Sequence, residues 1–213
     1  MGKDDHLDEK IIKMIDQVET PVVVSYDAKT EMPPEERTIY TGLKIAGQWT
    51  EFEERPFVED KITMMIPKEF TEMSSEDAKI KYPMEQRPQT IQTDSTGAVN
   101  FLFSYMDEHI TNDDTEMVRD KLLSIITRVN PGIKPQSRGK EVISDKNVAY
   151  VEFSNPTMDA KLYNLMFFLE LDEKTLMGSF NCLTKSMKYW QKPAFEMMRS
   201  IKILSPKDDE GGA

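Results

Sequence analysis

The chain has 213 residues and a net charge of −11, from 27 basic and 38 acidic side chains. That length suits one domain of ordinary size with an extension, or at most two small domains. No dense run of Lys and Arg is available to replace counterions along phosphates, which excludes nucleic acid and anionic membranes as expected partners, and the single cysteine, Cys182, excludes an internal disulfide and a Cys-based metal cluster.

The acidity is uneven. Positions 1–60 hold 7 basic and 15 acidic residues, against 20 and 23 in the remainder. The N-terminal stretch MGKDDHLDEK is polar and acidic, unlike the basic start of a signal peptide. The longest apolar run, Leu165–Leu169, is far short of the roughly 20 residues that a membrane span needs. Gly2 lacks the hydroxyl residue expected four positions on, where His6 stands instead. The expectation is a cytoplasmic protein without membrane insertion.

In chain order, Leu7, Ile11, Ile12, Ile15 and Val18 are spaced as one face of a short helix over 4–19. Pro21–Tyr26 reads as a strand, and the Pro- and Glu-rich stretch after it as an exposed loop. Residues 1–56 are expected to form an acidic, partly folded extension, 57–205 an α+β domain, and 206–213 a disordered tail. From Phe57 the signals sharpen. ITMMIP predicts a strand that ends at Pro67, and SSEDAKI a short helix with a serine cap and early acids. Thr90–Gln92 and Ala98–Met106 flank Asp94-Ser95-Thr96-Gly97, a hairpin signal. A helix over 113–130 opens with Asn112 or Thr111 as cap and stops at Asn130-Pro131-Gly132. Its Val118, Leu122, Ile125, Ile126 and Val129 make one apolar stripe that should face a core. Strands follow at Lys140–Ser144, Val148–Phe153, Leu162–Leu171 and Leu176–Leu183, the last two joined by Asp172-Glu173-Lys174. A final helix runs to about Ser200, with Trp190, Ala194, Met197, Met198 and Ile201 on one face and Pro193 in its first turn.

This order, together with ITMMIPKEF, KEVISDKNVAYVEF and the spacing of Trp190, Phe195 and Ile201, resembles the PsbP-like superfamily. That fold is shared by the photosystem extrinsic protein PsbP, the Ran-binding Mog protein and the bacterial DcrB-like proteins. The likeness runs from Phe57 onward and leaves out the first 56 residues. It implies an antiparallel β-sheet flanked by two main helices, here with an acidic N-terminal extension. It also implies no shared catalytic residues, and a role in binding, assembly or chaperoning. Some DcrB-like relatives resemble chaperones that hold hydrophobic segments of secreted effectors. The chain differs from the superfamily in its acidic extension and in showing no signal peptide or lipid anchor.

Catalysis requires an activated nucleophile, a base of matched pKa or a metal. The two histidines are His6, near the N-terminus, and His109, in a turn. A thiol enzyme would need His109 to meet Cys182, whereas free cysteines are commonly small core residues. The acid clusters at Asp107-Glu108 and Asp113-Asp114 fit a helix N-terminus, and Asp208–Glu210 a solvated tail. No phosphate-binding glycine loop occurs. The expectation is a non-enzyme with no cofactor and no metal.

Alternation along the strands offers more. One face collects Val99, Phe101, Phe103, Tyr105, Ala149, Val151, Phe153, Tyr163, Leu165, Phe167, Leu169, Phe180 and Cys182 and reads as core. The other is half polar and carries Leu102, Met106, Tyr150, Met166, Phe168 and Met177. Methionine is frequent (15 residues), and flexible thioethers suit surfaces that accommodate varied apolar partners. These six residues are therefore candidates for a partner-binding platform, unless the terminal helix or the acidic extension lies over them. The readings that follow are an adaptor or chaperone holding an apolar segment of another protein, a structural homodimer, or a thiol enzyme using Cys182 and His109.

Overall fold

A computed structural model describes residues 37–82, 87–157 and 160–204. The helix expected over 4–19, the strand at 21–26, the loop that follows it and the tail at 206–213 lie outside these residues. The described chain opens with a small hairpin, β1 (Leu43–Ile45) and β2 (Gln48–Thr50). Ala46 and Gly47 turn it at φ 50° and 87°, the left-handed pair that matches the twist of two antiparallel strands. Next come β3 (Phe52–Phe57), β4 (Ile62–Pro67), β5 (Thr71–Glu72) and helix α1 (Ser75–Lys81), which Ser74 caps by accepting from the Asp77 N–H. β6 (Thr90–Thr93), β7 (Asn100–His109), α2 (Thr115–Val129), β8 (Lys134–Ile143), β9 (Lys146–Pro156), β10 (Lys161–Leu171) and β11 (Lys174–Leu183) follow. A 3-10 turn leads into α3 (Met187–Arg199), and β12 (Lys202–Ile203) closes the described chain.

Seven strands form the main sheet in the order β5-β6-β7-β11-β10-β9-β8, and β12-β4-β3 form a smaller one; every pairing is antiparallel. The two-residue turns Ser144-Asp145 and Asp172-Glu173 repeat the left-handed geometry of the first hairpin and set the registers of β8–β9 and β10–β11. The architecture is α+β. Three α-helices occur among the described residues, and the small sheet shares with α3 the work of covering the main sheet's first face.

That first face holds the core. Phe101, Phe103, Leu165, Phe167, Leu169 and Phe180 pack against Trp190, Ala194, Met197 and Met198 of α3 and against Phe57, Ile62, Met64 and Ile66 of the small sheet. Ring centroids lie 5.2 Å apart for Phe57 and Phe103 and 5.8 Å for Phe180 and Trp190, tilted contacts that suit aromatic quadrupoles. Arg55 bolts the small sheet to the large one, donating to the carbonyls of Phe70 (2.6 Å) and Lys68 (2.7 Å) and to Oε1 of Gln92 (3.2 Å).

Several expectations need correction. The boundary drawn between residues 56 and 57 falls inside β3, and Ile39, Leu43, Ile45 and Phe52 are members of the core. Glu196 of α3 accepts from the Ile39 N–H at 3.0 Å, which ties this stretch to the terminal helix. β8 begins at Lys134, because an exposed edge strand with a bulge between Pro135 and Arg138 has no apolar alternation to announce it. Pro193 sits inside α3 rather than in its first turn. Asp114, rather than Asn112 or Thr111, stands at the N-cap position of the helix over 115–129; its carboxylate gives the helix no side-chain hydrogen bond and instead accepts from the N–H (2.8 Å) and the hydroxyl (2.7 Å) of Thr111.

Gly178 of β11 stands opposite Phe167 of β10. A β-carbon there would run into the Phe167 ring, so the bare backbone is what admits the aromatic side chain. Gly178→Ala is expected to lower the unfolding free energy by about 1–3 kcal/mol through overpacking, measured by urea titration. Adding Phe167→Leu should recover part of the loss, giving a coupling energy between the two sites.

A half-covered face beside α2

The second face of the main sheet is built by register. Asn164 lies opposite Asn181, Met166 opposite Ser179 and Phe168 opposite Met177 on β11, and β7 continues the rows with Asn100, Leu102 and Ser104. Helix α2 crosses this face over β9 and β10. Beneath its first turns Val118, Ile110 and Phe168 form a small buried cluster, with Leu122, Met166 and Met177 half-buried around it.

The helix is held on both flanks. Arg119 donates to the Gly139 carbonyl at 2.8 Å and to Asp120, which also pairs with Arg138 at 3.1 Å. Lys140 reaches Glu116 at 2.8 Å. These contacts lie on the side of β8. On the opposite flank Lys121 pairs with Glu108 of β7 at 2.8 Å. At its C-terminal end Asn130 donates to Asn155 at 2.9 Å. The stripe expected to face a core is thus only partly used. Val118 is buried, whereas Ile125 is 38% exposed and Val129 77%, and Met117 is 61% exposed. The helix turns Thr115, Val118 and Arg119 inward, because the Arg119 guanidinium bonds to β8.

The six platform candidates separate accordingly. Met106, Met166 and Met177 lie half-buried on this face, and Leu102 is buried in its floor. Phe168 is fully buried in the cluster under α2 and is a core residue. Tyr150 belongs to the opposite face. It stands opposite Phe167, and its ring meets Phe195 of α3 edge-on at 5.1 Å. The alternation of β9 is therefore the reverse of the expected one: Val148, Tyr150, Glu152 and Ser154 face α3, while Ala149, Val151 and Phe153 share the side of Phe168, Met166 and Asn164. The polar residues that suggested an outward side are buried and bonded. Glu152 accepts from the Tyr163 hydroxyl and the Gln191 amide, each at 2.6 Å, and from the Ser137 hydroxyl. Burial and the neighbouring Glu152 carboxylate hold the Tyr163 hydroxyl firmly protonated.

The second face also carries a polar row that the alternation did show without its bonding. Thr93 donates to Asn100 at 2.9 Å, and Asn100 donates to Asn181 at 3.0 Å.

The thiol and imidazole cannot cooperate. His109 is exposed and pairs with Lys174 at the start of β11, whereas Cys182 lies eight residues further along that strand. At about 3.3 Å per residue the separation is roughly 26 Å. Burial pushes the Cys182 thiol up to about 12. The acid clusters serve local structure: Asp107 pairs with Lys174 at 2.7 Å, Glu108 with Lys121, and Asp114 with Thr111. No group of His, Cys, Asp and Glu fit to hold a metal occurs among the described residues.

No family model and no curated protein sequence matches the chain. Among solved structures, the solution structure of cyanobacterial PsbP (CyanoP) from Synechocystis sp. PCC 6803 is similar with a TM-score of 0.54 at 9% identity, over 72% of this chain and 92% of that one. The fold is PsbP-like. Looser likenesses are LpqN, involved in cell envelope biogenesis of Mycobacterium tuberculosis (TM-score 0.47, 9% identity, 79% of this chain and 98% of that one), and the immunity protein TplEi from Pseudomonas aeruginosa (TM-score 0.37, 12% identity, 83% and 57%). At these identities the likeness concerns the PsbP-like backbone, and the surface beside α2 must be read from its own residues.

A thiolate, not a thiol, is the reactive species. A disulfide-based thiol reagent at pH 8 is therefore expected to leave Cys182 unlabelled in the native protein and to label it stoichiometrically in 6 M guanidinium. Fast native labelling would contradict the buried placement.

Proposed function

We propose that this PsbP-like chain is a non-enzymatic protein-binding module, an adaptor or chaperone that holds an apolar segment of a partner protein on the half-covered sheet face beside α2. The supporting observation is that Ile125 and Val129 of α2 stay exposed while Met166 and Met177 are only half-buried on the sheet face that the helix crosses. A single exposed aliphatic side chain is ordinary, whereas two on one helix over a sheet face that carries thioethers suit an apolar partner. Burial of such area contributes about 25 cal/mol per Å², and methionine adjusts its three torsions to different apolar shapes.

The chemistry elsewhere supports the same reading. Cys182 is buried with its thiol protonated, and Glu152 and Tyr163 are bonded to one another beneath α3. Neither presents a reacting group to a substrate.

The test starts with affinity purification of the chain from its native host and identification of the protein that co-purifies. Ile125→Asp combined with Val129→Asp is expected to weaken that partner by at least tenfold and to shift Tm by less than ~3 °C, since both side chains are already exposed. Undiminished binding would remove this face as the docking surface. Sedimentation at micromolar concentration separates a heterologous partner from a second copy of this chain, because only self-association would give a dimer that the double substitution dissolves.

A further inference from the structure

The two ends of the main sheet treat their cations differently. At the end that carries the β10–β11 turn, Lys61 pairs with Asp172 at 2.8 Å, Lys174 with Asp107 at 2.7 Å, and Lys146 with Glu170. At the other end Lys134, Lys161, Lys185, Lys188 and Arg128 are all exposed, and none has a carboxylate partner among the described residues. Lys188 lies over the neighbouring Tyr189 ring, 4.7 Å from its centroid.

Register brings these cations together. Lys161 opens β10 opposite Pro156, and its carbonyl accepts from the Thr184 hydroxyl at 2.8 Å, beside Lys185 in the 3-10 turn. Lys134 opens β8 opposite Ser154, and Lys188 stands in the first turn of α3. Neighbouring strands lie about 4.8 Å apart, so the four from β8 to β11 span roughly 14 Å. Lys161 shares the parity of Tyr163 and Leu165, which face the main core, and Lys134 shares that of Ser154, so both project to the side of α3. Arg128 belongs to the same end on the opposite side, two residues before Asn130, whose amide reaches Asn155. Like charges this close repel one another and attract an anionic partner. The row comes from β8, β10, the 3-10 turn and α3, so no run of Lys and Arg along the chain announces it.

We infer that the acidic N-terminal segment of this same chain, residues 1–36, covers the row, its carboxylates pairing with Lys134, Lys161, Lys185 and Lys188. The segment holds ten acidic and four basic side chains, so its charge is complementary. It also begins on the correct side of the sheet. It joins the described chain at Arg37, and two residues later the Ile39 N–H donates to Glu196 of α3 at 3.0 Å. From Glu196 back to Lys188 the helix rises about 12 Å, which about four extended residues cover. Asp27, Glu31, Glu35 and Glu36 are therefore tethered within reach of the row, and a short tether gives an effective concentration on the order of millimolar. A single exposed ion pair contributes little, but a tethered group of carboxylates meets four cations at once. The basic end is then neutralised from within the chain, and other polyanions find little to attract them there.

The experiment treats the full chain, as an equal mixture of unlabelled and nitrogen-15-labelled protein, with a carbodiimide that joins touching amines and carboxylates, and maps the links by mass spectrometry. Lys174 with Asp107 and Lys121 with Glu108 serve as positive controls. Links from Lys134, Lys161, Lys185 or Lys188 to acids within residues 4–36 are expected inside one isotopic population. They should form at 0.1 M salt and vanish at 1 M, where the Debye length falls from about 10 Å to about 3 Å. Links between the two populations would put a second copy on the row, and control links without any to residues 4–36 would leave the row uncovered; either result overturns the inference. Lys161→Glu combined with Lys185→Glu and Lys188→Glu gives a second readout, because all three side chains are exposed and their replacement should leave Tm within ~3 °C of the native value. Cleavage by trypsin after Lys29 is expected to be about fivefold faster in this variant at 0.1 M salt, since cleavage follows the population of the open form, and to be the same in both proteins at 1 M. Equal rates at 0.1 M salt would overturn the cover as well.

Discussion

The pairing of β10 with both of its neighbours is the constraint on which the rest of the structure depends. It matches β11 over ten residue pairs and β9 over eight, with no slip on either side. Because side chains alternate with period two, a shift of one residue would send Leu165, Phe167 and Leu169 to the face of α2 and bring Asn164, Met166 and Glu170 into the main core. Two features hold the register. The Asp172-Glu173 turn joins β10 to β11 with both residues left-handed, and the Phe167 ring lies over Gly178, the one position on β11 where it fits. Phe101, Phe180 and Trp190 then stack outward from that contact, and α3 and the small sheet close over them.

The two faces of this sheet are covered unequally. The first is sealed by α3, β3, β4 and the stretch from Ile39 to Ile45, so even its polar members are drawn into bonds: Glu152 with Tyr163, Gln191 and Ser137. The second is crossed by α2, which is fixed at its sides by Arg119, Glu116 and Lys121 rather than by a broad apolar stripe. Charged tethers at a partly exposed helix are worth little individually, but they decide which way the helix is rotated. Val129 shares the azimuth of buried Val118 but sits in the last turn of the helix, where the sheet no longer covers it, so it stays exposed together with Ile125.

Much of this was legible in the residues. The hairpin around Asp94–Gly97, the span of α2 to within two residues, the end of α3, and the buried face of Trp190, Ala194, Met197, Met198 and Ile201 followed from period and punctuation, and the PsbP-like order of elements from their sequence. What failed did so for identifiable reasons. In β9 both parities are rich in apolar residues, and Glu152 pointed the assignment outward; its burial depends on Tyr163 and Gln191, which are distant in sequence. That single reversal misplaced Tyr150. In α2 the apolar spacing was real, but cover fails toward the C-terminal turns, from buried Val118 to exposed Val129, and spacing within the helix says nothing of how far the sheet extends beneath it. Ile39, Leu43, Ile45 and Phe52 looked like part of an acidic extension because Glu51, Glu53 and Glu54 around them are exposed or paired at the surface. Asn164 was visible only as one polar position on a mixed face; its burial without a partner for Nδ2 is encoded by no spacing rule.

The edges of the main sheet narrow where a segment could attach. An unpaired strand invites another chain to add to it, and β8 is the long edge here. It is guarded: Pro135 lacks an N–H, the bulge between Pro135 and Arg138 interrupts the ladder, and Arg138 and Lys140 are committed to Asp120 and Glu116 of α2. At the other edge β5 has only two residues, too few to template an extended partner. Among the described residues both edges are thus poorly suited to strand addition and the first face is filled, which leaves the half-covered second face as the surface on which the proposed docking depends. A segment bound there would lie over the faces of β10 and β11 rather than alongside a strand, without a continuous ladder, so its affinity would come mainly from apolar contact.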